Sequence, residues 1–269
     1  MDIKAKTLST HVPRTSNPGT VHLSAGGVAR NIAHNLARLG QQVSLLSVVG
    51  NDANAEMLLE VTKAAGVNVQ LIIRVNDATG TYLAALDVNG ELITAVNDMR
   101  LLTPAMIDDN REAIAAASMV VADCNLDLDC LLKINTQCLV IEPVSVPKSK
   151  RLLEILQHRP IYLATPNLDQ IEALTGTRNP QLAAKSLHKL GLQNLVIHAG
   201  ERGSYVSDGS TMVHVPSQAK TIVDVTGAGD AATAGLVHGL MQKLSLEKSA
   251  TIGQEMAARV IASTLSTLD

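Results

Sequence analysis

The densest group of residues able to do chemistry is Asp224-Val225-Thr226-Gly227-Ala228-Gly229-Asp230, which runs straight into a helix-like stretch, Ala231–Leu240. Small residues at a helix start leave backbone N–H groups open, and the helix dipole adds positive potential there. Such a terminus suits a phosphate or a developing anion. Asp230 falls in the first turn, where a carboxylate can take the proton of a substrate hydroxyl. A plain glycine turn with an acid favoured near the helix start accounts for the same residues. A second cluster, Ser24-Ala25-Gly26-Gly27-Val28-Ala29-Arg30-Asn31, also opens a helix. Gly26 and Gly27 let the backbone approach a ligand, and Asn31 and Asn35 lie one turn apart with amides that both donate and accept. Gly-Gly before a helix serves equally as turn chemistry. Asn167, in Thr165-Pro166-Asn167-Leu168-Asp169-Gln170-Ile171-Glu172, follows an expected strand, and Gly200-Glu201-Arg202-Gly203 follows another. Ligands of open parallel sheets bind beyond strand carboxyl ends, although Asn167 also suits a helix cap and the second segment a tight turn. Neither G-x-G-x-x-G nor G-x-x-x-x-G-K-[ST] occurs, so no dinucleotide fingerprint or P-loop is indicated.

These groups need elements that hold them. Apolar periodicity predicts a helix from Ala29 to Leu39 with Gly40 as its stop, a buried strand from Val43, and a helix over Ala53–Ala65. Asn89-Gly90 between Thr81–Leu86 and Glu91–Val96 reads as a hairpin turn. Beyond Pro104, strands at 119–123, 138–142, 161–165 and 195–199 alternate with amphipathic helices. That alternation argues for a mostly parallel sheet covered on both faces, with a small β lid inserted at about 68–98. The 269 residues suit one domain, and 22 basic against 25 acidic side chains leave a net charge of −3. That balance, with no Phe or Trp and three Tyr, speaks against a nucleic-acid surface. No apolar run suits a signal peptide or a membrane span, and Cys124, Cys130 and Cys138 lack C-x-x-C spacing. A cytoplasmic protein with reduced thiols is the expectation.

In this order the segments resemble the ribokinase-like (PfkB) family of carbohydrate and nucleoside kinases. Gly26-Gly27 with Asn31, Asn167, and Asp224 to Asp230 carry the resemblance across nearly the whole chain. Within the family, Asn17-Pro18-Gly19, Ala25–Gly40, Val96-Asn97-Asp98-Met99, Val120–Leu126 and Pro143-Val144-Ser145 are most similar to bacterial pseudouridine kinases. The resemblance implies a three-layer α/β/α fold and transfer of the ATP γ-phosphoryl group to a nucleoside 5′-hydroxyl, pseudouridine first. It makes Asp230 the general base and Gly227, Ala228 and Gly229 the anion hole. Asp2, Gly26, Gly27, Asn31 and Asn97 would hold the substrate, and Asn167, Gly200 and Gly203 the nucleotide. Asp224 and the Thr226 carbonyl match part of a monovalent-cation site, so K⁺ joins ATP and Mg²⁺ among the implied cofactors. The lid would close over the sugar and form a homodimer contact.

Three departures accompany it. The family's N-x-x-E reads Asn167-Leu168-Asp169-Gln170, which replaces a carboxylate of the Mg²⁺ network by an amide and leaves Asp169 or Glu172 as stand-ins. A central strand normally leads into the aspartate matched by Asp2; without it, a parallel sheet is expected to carry a gap. Relatives also continue beyond the position of Asp269. A kinase for another nucleoside or free sugar, and a non-catalytic nucleoside-binding relative, are the competing expectations.

Overall fold

The computed structural model describes residues 1–263 and 265–268. Two strands come first, β1 (Asp2–Thr7) and β2 (Gly19–Ser24), then helix α1 (Val28–Arg38). β3 (Ser47–Val49), α2 (Ala53–Ala64) and β4 (Ile72–Arg74) precede the hairpin β5 (Thr81–Leu86) and β6 (Leu92–Asp98). After α3 (Pro104–Asp109) and α4 (Arg111–Ala116) the chain alternates: β7 (Val120–Asp123), α5 (Leu128–Lys133), β8 (Leu139–Glu142), α6 (Val146–Leu156), β9 (Ile161–Ala164). Helices α7 (Leu168–Thr175) and α8 (Pro180–Lys189) lead to β10 (Leu192–His198). A 3₁₀ turn at Gly200–Arg202, the hairpin β11 (Ser204–Ser207) and β12 (Met212–Val215), and helices α9 (Ala228–Met241) and α10 (Leu246–Ile261) follow.

The main sheet has the order β12-β11-β10-β9-β8-β7, with β7 to β10 parallel and the β11–β12 hairpin antiparallel at one edge. Successive side chains of a strand point to opposite faces, and the core divides accordingly. Ile141, Ala164, Leu195 and Ile197 pack with Leu131, Leu152, Ile155, Ile171 and Leu187 from α5 to α8. Their neighbours Val140, Leu163 and Val196 pack with Ile32 and Leu36 of α1 and Ala234 and Leu236 of α9. This is the three-layer α/β/α arrangement. With no Phe or Trp, the largest fully buried side chains are all Ile or Leu, each contributing roughly 1.5–3 kcal/mol by burial. Close approach substitutes for bulk where α9 meets α10: a Cβ on Gly235 would lie 2.8 Å from Gly253 Cα.

A second sheet, β2-β1-β5-β6, stands apart from the first. Gly90 N–H donates to Asp87 O at 3.0 Å, closing the β5–β6 turn at the Asn-Gly pair. The lid expected over 68–98 therefore supplies two strands only. β4 pairs with β3 instead, and β1 and β2, unassigned from the sequence, complete the sheet. Alternation gives this sheet two unlike faces. Val21, Leu23, Leu92 and Val96 stand exposed, and Leu23, Ile3, Leu83 and Val96 align across the four strands. The opposite face carries the aligned row Ser24, Asp2, Tyr82, Asn97, with Lys4 two residues from Asp2.

The parallel sheet is interrupted. β3 and β4 form a two-stranded piece not hydrogen-bonded to β7, and residues of β3 and β7 line a common cavity of about 1190 Å³. Met1 and Asp2 also line it.

Candidate active site

Two glycine-led helix starts, those of α1 and α9, meet beside the carboxyl ends of β7 and β8. α1 begins after Gly27, whose φ of 101° is a left-handed value that glycine adopts without strain. No side chain caps α1 from its own N-cap; Asp123, the last residue of β7, accepts from Ala29 N–H at 3.1 Å instead. Gly26 abuts Asp2, since a Cβ there would fall 2.1 Å from the Asp2 carboxyl carbon. The two predicted substrate positions are thus brought into contact. Asn31 reaches across from α1 and donates through Nδ2 to Asp230 Oδ2 at 2.8 Å. Asn35 does not join it: wholly buried, it accepts from Leu268 N–H at 2.8 Å through Oδ1. Asn97 lies two strands from Asp2 in the same row, exposed on the second sheet.

α9 starts at Gly227, φ 78°, whose missing Cβ would meet Ser266 O at 2.1 Å. Asp224 Oδ1 accepts from Thr226 N–H at 2.8 Å, closing the turn before it. The amides of Gly227, Gly229 and Asp230 find no acceptor among the described residues, as expected in a first helical turn. The Ala228 N–H differs from the anion-hole expectation, because the turn directs it to Val225 O at 3.3 Å. A Cβ on Gly229 would meet open space.

Carboxylates crowd this cleft. Burial pushes the Asp230 carboxyl well above the usual range; the Asn31 hydrogen bond opposes that, and Glu142, Asp123 and Asp2 push it further up. Burial likewise raises Asp2, against the pull of Lys4 and Arg30, and raises Asp123. Glu142, at the end of β8, is pushed up to about 7, chiefly by burial. It accepts from Thr165 Oγ1 at 2.6 Å, Thr233 Oγ1 at 3.3 Å and Val144 N–H at 3.2 Å. Buried Arg30 contributes positive charge toward Asp2 and Asp230, while its guanidinium contacts His34 Nδ1 at 3.1 Å.

At the positions expected to face a nucleotide the outcome is mixed. Asn167 and Gln170 form a capping box at the start of α7: Asn167 Oδ1 accepts from Gln170 N–H at 2.9 Å, and Gln170 Oε1 from Asn167 N–H at 2.8 Å. Asp169 and Glu172, the expected stand-ins for the family carboxylate, both pair with Arg178 on the surface. Gly200 opens the 3₁₀ turn after β10 and faces open space, whereas Gly203 is a packing glycine, its Cβ position lying 2.1 Å from Val215 O. Asp224 binds the Lys4 ammonium rather than standing open: Lys4 Nζ lies 2.7 Å from Asp224 Oδ2 and 2.7 Å from Thr226 Oγ1. Asp123, Glu142, Arg30, Thr233 and Lys4 escaped the sequence reading. Asp123 and Glu142 end parallel strands, a positional signal that points to both; Lys4 carries no such signal.

The pfkB family carbohydrate kinase model matches residues 1–269. The chain belongs to that family. Among curated relatives, it is 37% identical over 273 residues to the uncharacterized sugar kinase YeiI of Escherichia coli, covering 96% of this chain and 75% of the relative. Pseudouridine kinase of the same organism is 35% identical over 253 residues, covering 89% of this chain and 80% of its own. Among solved structures, ribokinase from Thermotoga maritima superposes with a TM-score of 0.88 at 21% identity, covering 98% of this chain and 91% of that one, which shows the shared fold. As a pfkB-family kinase the protein is a phosphotransferase with an alcohol group as acceptor, acting in the sugar and nucleoside class. Among the described residues no helix is long and apolar enough to cross a membrane.

Proposed function

We propose that this kinase transfers the γ-phosphoryl group of MgATP to the 5′-hydroxyl of a nucleoside, with pseudouridine as the first substrate to test. The observation that carries the reading is the Asn31–Asp230 bond at 2.8 Å beside Asp2 packed on Gly26. It sets a sugar-holding carboxylate next to a base whose proton affinity is raised. Similarity to pseudouridine kinase over 89% of the chain supports the choice of acceptor.

In this reading the acceptor hydroxyl gives its proton to the Asp230 carboxylate as its oxygen attacks the γ-phosphorus, and ADP leaves with the bond it held. Charge spreads over the transferred group, and phosphoryl transfer depends mostly on positioning and electrostatic stabilisation. The open amides of Gly227, Gly229 and Asp230 supply donors at the dipole's positive end. Gly200, after β10, borders the nucleotide side. Asn167 is held by its capping box and acts there through the start of α7. The exposed apolar face of the β2-β1-β5-β6 sheet supports pairing between two copies, read directly by light scattering, with Val96→Asp expected to yield monomers.

The deciding measurement is ADP release with pseudouridine, uridine, cytidine, inosine and ribose. Asp230→Asn should retain the fold and lose about 10²–10⁴-fold in kcat. Release that survives this change removes Asp230 as base. Nucleoside binding by calorimetry with no turnover at saturating MgATP supports the non-catalytic reading instead.

A further inference from the structure

We infer that the Lys4 ammonium is a built-in monovalent cation, tethered by β1, that holds the Asp224–Gly227 loop and makes this protein indifferent to K⁺. The inference rests on the kinase reading only for its activity arm. The resemblance places K⁺ at the Asp224 carboxylate and the Thr226 carbonyl, and here that carboxylate already holds a cation. Lys4 Nζ takes Asp224 Oδ2 and Thr226 Oγ1, each at 2.7 Å. Asp224 Oδ1 already accepts the Thr226 amide at 2.8 Å. Both oxygens of the one carboxylate are committed, and a K⁺ ion sharing them would sit against an ammonium of like charge. An ammonium directs several N–H donors from one point charge, so it supplies the charge of a small cation at the Asp224 carboxylate and uses the Thr226 hydroxyl as its second contact.

The position of Lys4 follows from strand geometry. Its cross-strand partners are His22 on β2 and Ala84 on β5, and alternation puts it on the same face as Asp2. One strand therefore presents the carboxylate that packs on Gly26 and, two residues on, the cation that closes on Asp224. The far side of the loop hangs from α10, with Val223 N–H donating to Ile261 O at 2.8 Å. Lys4 completes the hold from the β1 side, across 220 positions of sequence. This makes it a positioning residue, acting on the reaction through the amides that follow Thr226.

The test compares wild type, Lys4→Met and Lys4→Arg in KCl and in matched choline chloride. Thermal unfolding of the ligand-free protein is the first readout. Wild type and Lys4→Arg should unfold at the same temperature in both salts, and Lys4→Met should unfold several degrees higher in K⁺ than in choline. ADP release should follow: wild type should change less than twofold between the salts, and Lys4→Met should lose at least tenfold in kcat without K⁺ and recover with it. A wild type that needs K⁺, or a Lys4→Met variant weakened equally in both salts, overturns the inference. Thallium, a K⁺ surrogate visible by anomalous scattering, gives a check on wild-type crystals alone; density at Asp224 overturns it. Absence of turnover with every acceptor would sink the kinase reading while leaving the unfolding and thallium results to decide this one.

Discussion

At the scale of single residues, the site is governed by buried carboxylates that share one cleft. Asp230 and Glu142 are both driven up by burial; Glu142 also pushes Asp230 up, and Asp123 pushes on both. If Asp230 is the base, kcat/KM should fall on acidification at a pH above the ordinary carboxylate range, and a pH–rate profile reads this directly. Glu142 makes a separate prediction about stability. Its folded value near 7 exceeds the reference 4.5, so the native state keeps a proton that the unfolded chain releases. Stability from this group is intact below about 4.5, falls by roughly 1.4 kcal/mol per pH unit up to its folded value, and stays lost above it. Glu142→Gln should flatten the stability–pH curve between those values and unfold later than wild type at pH 8, as measured by denaturant titration.

At the scale of elements, two glycines in one turn have different reasons to be there. Gly227 combines a φ of 78° with a Cβ position 2.1 Å from Ser266 O. Gly227→Ala should therefore cost about 1–3 kcal/mol and displace the loop. Gly229 has neither constraint, its Cβ position being open. Gly229→Ala should unfold like wild type yet lose turnover, because the added methyl occupies space beside the open amides. The pair of unfolding midpoints set against the pair of kcat values separates structural from ligand-facing glycine. The capping box of α7 belongs to this scale as well. Asn167 and Gln170 satisfy each other's backbone, so Gln170 serves to start the helix.

For the whole molecule, the site depends on contacts between the ends of the chain. Asn35 in α1 accepts the Leu268 amide, and His34 Nε2 lies 3.0 Å from Leu268 O. Ser266 backs Gly227, and Leu268 packs with Ala231 at the start of α9. Asn35→Ala would leave the buried Leu268 amide without its partner, at a cost of about 1–3 kcal/mol. The expected result is a lower unfolding temperature together with weaker turnover, since the same segment supports both α1 and α9. Unchanged unfolding would show that the Leu268 segment carries no load.

The sequence by itself determined the layers and the local chemistry. Strands buried on both faces read as short apolar runs between amphipathic helices, and glycines before helix starts mark open amides, because both signals are local in the chain. Asp230, Asn31, Gly26 and Gly27 were legible for that reason. The pairing of β1 with β2 and β5 was not, since Asp2–Thr7 alternates weakly and gains its partners from residues 19–24 and 81–86. Nor was the crowding of Glu142 against Asp230, or the ammonium on Asp224. Those features depend on side chains tens to hundreds of positions apart meeting in a space with little water. Burial and charge act through distance in space, and only the tertiary structure sets that distance.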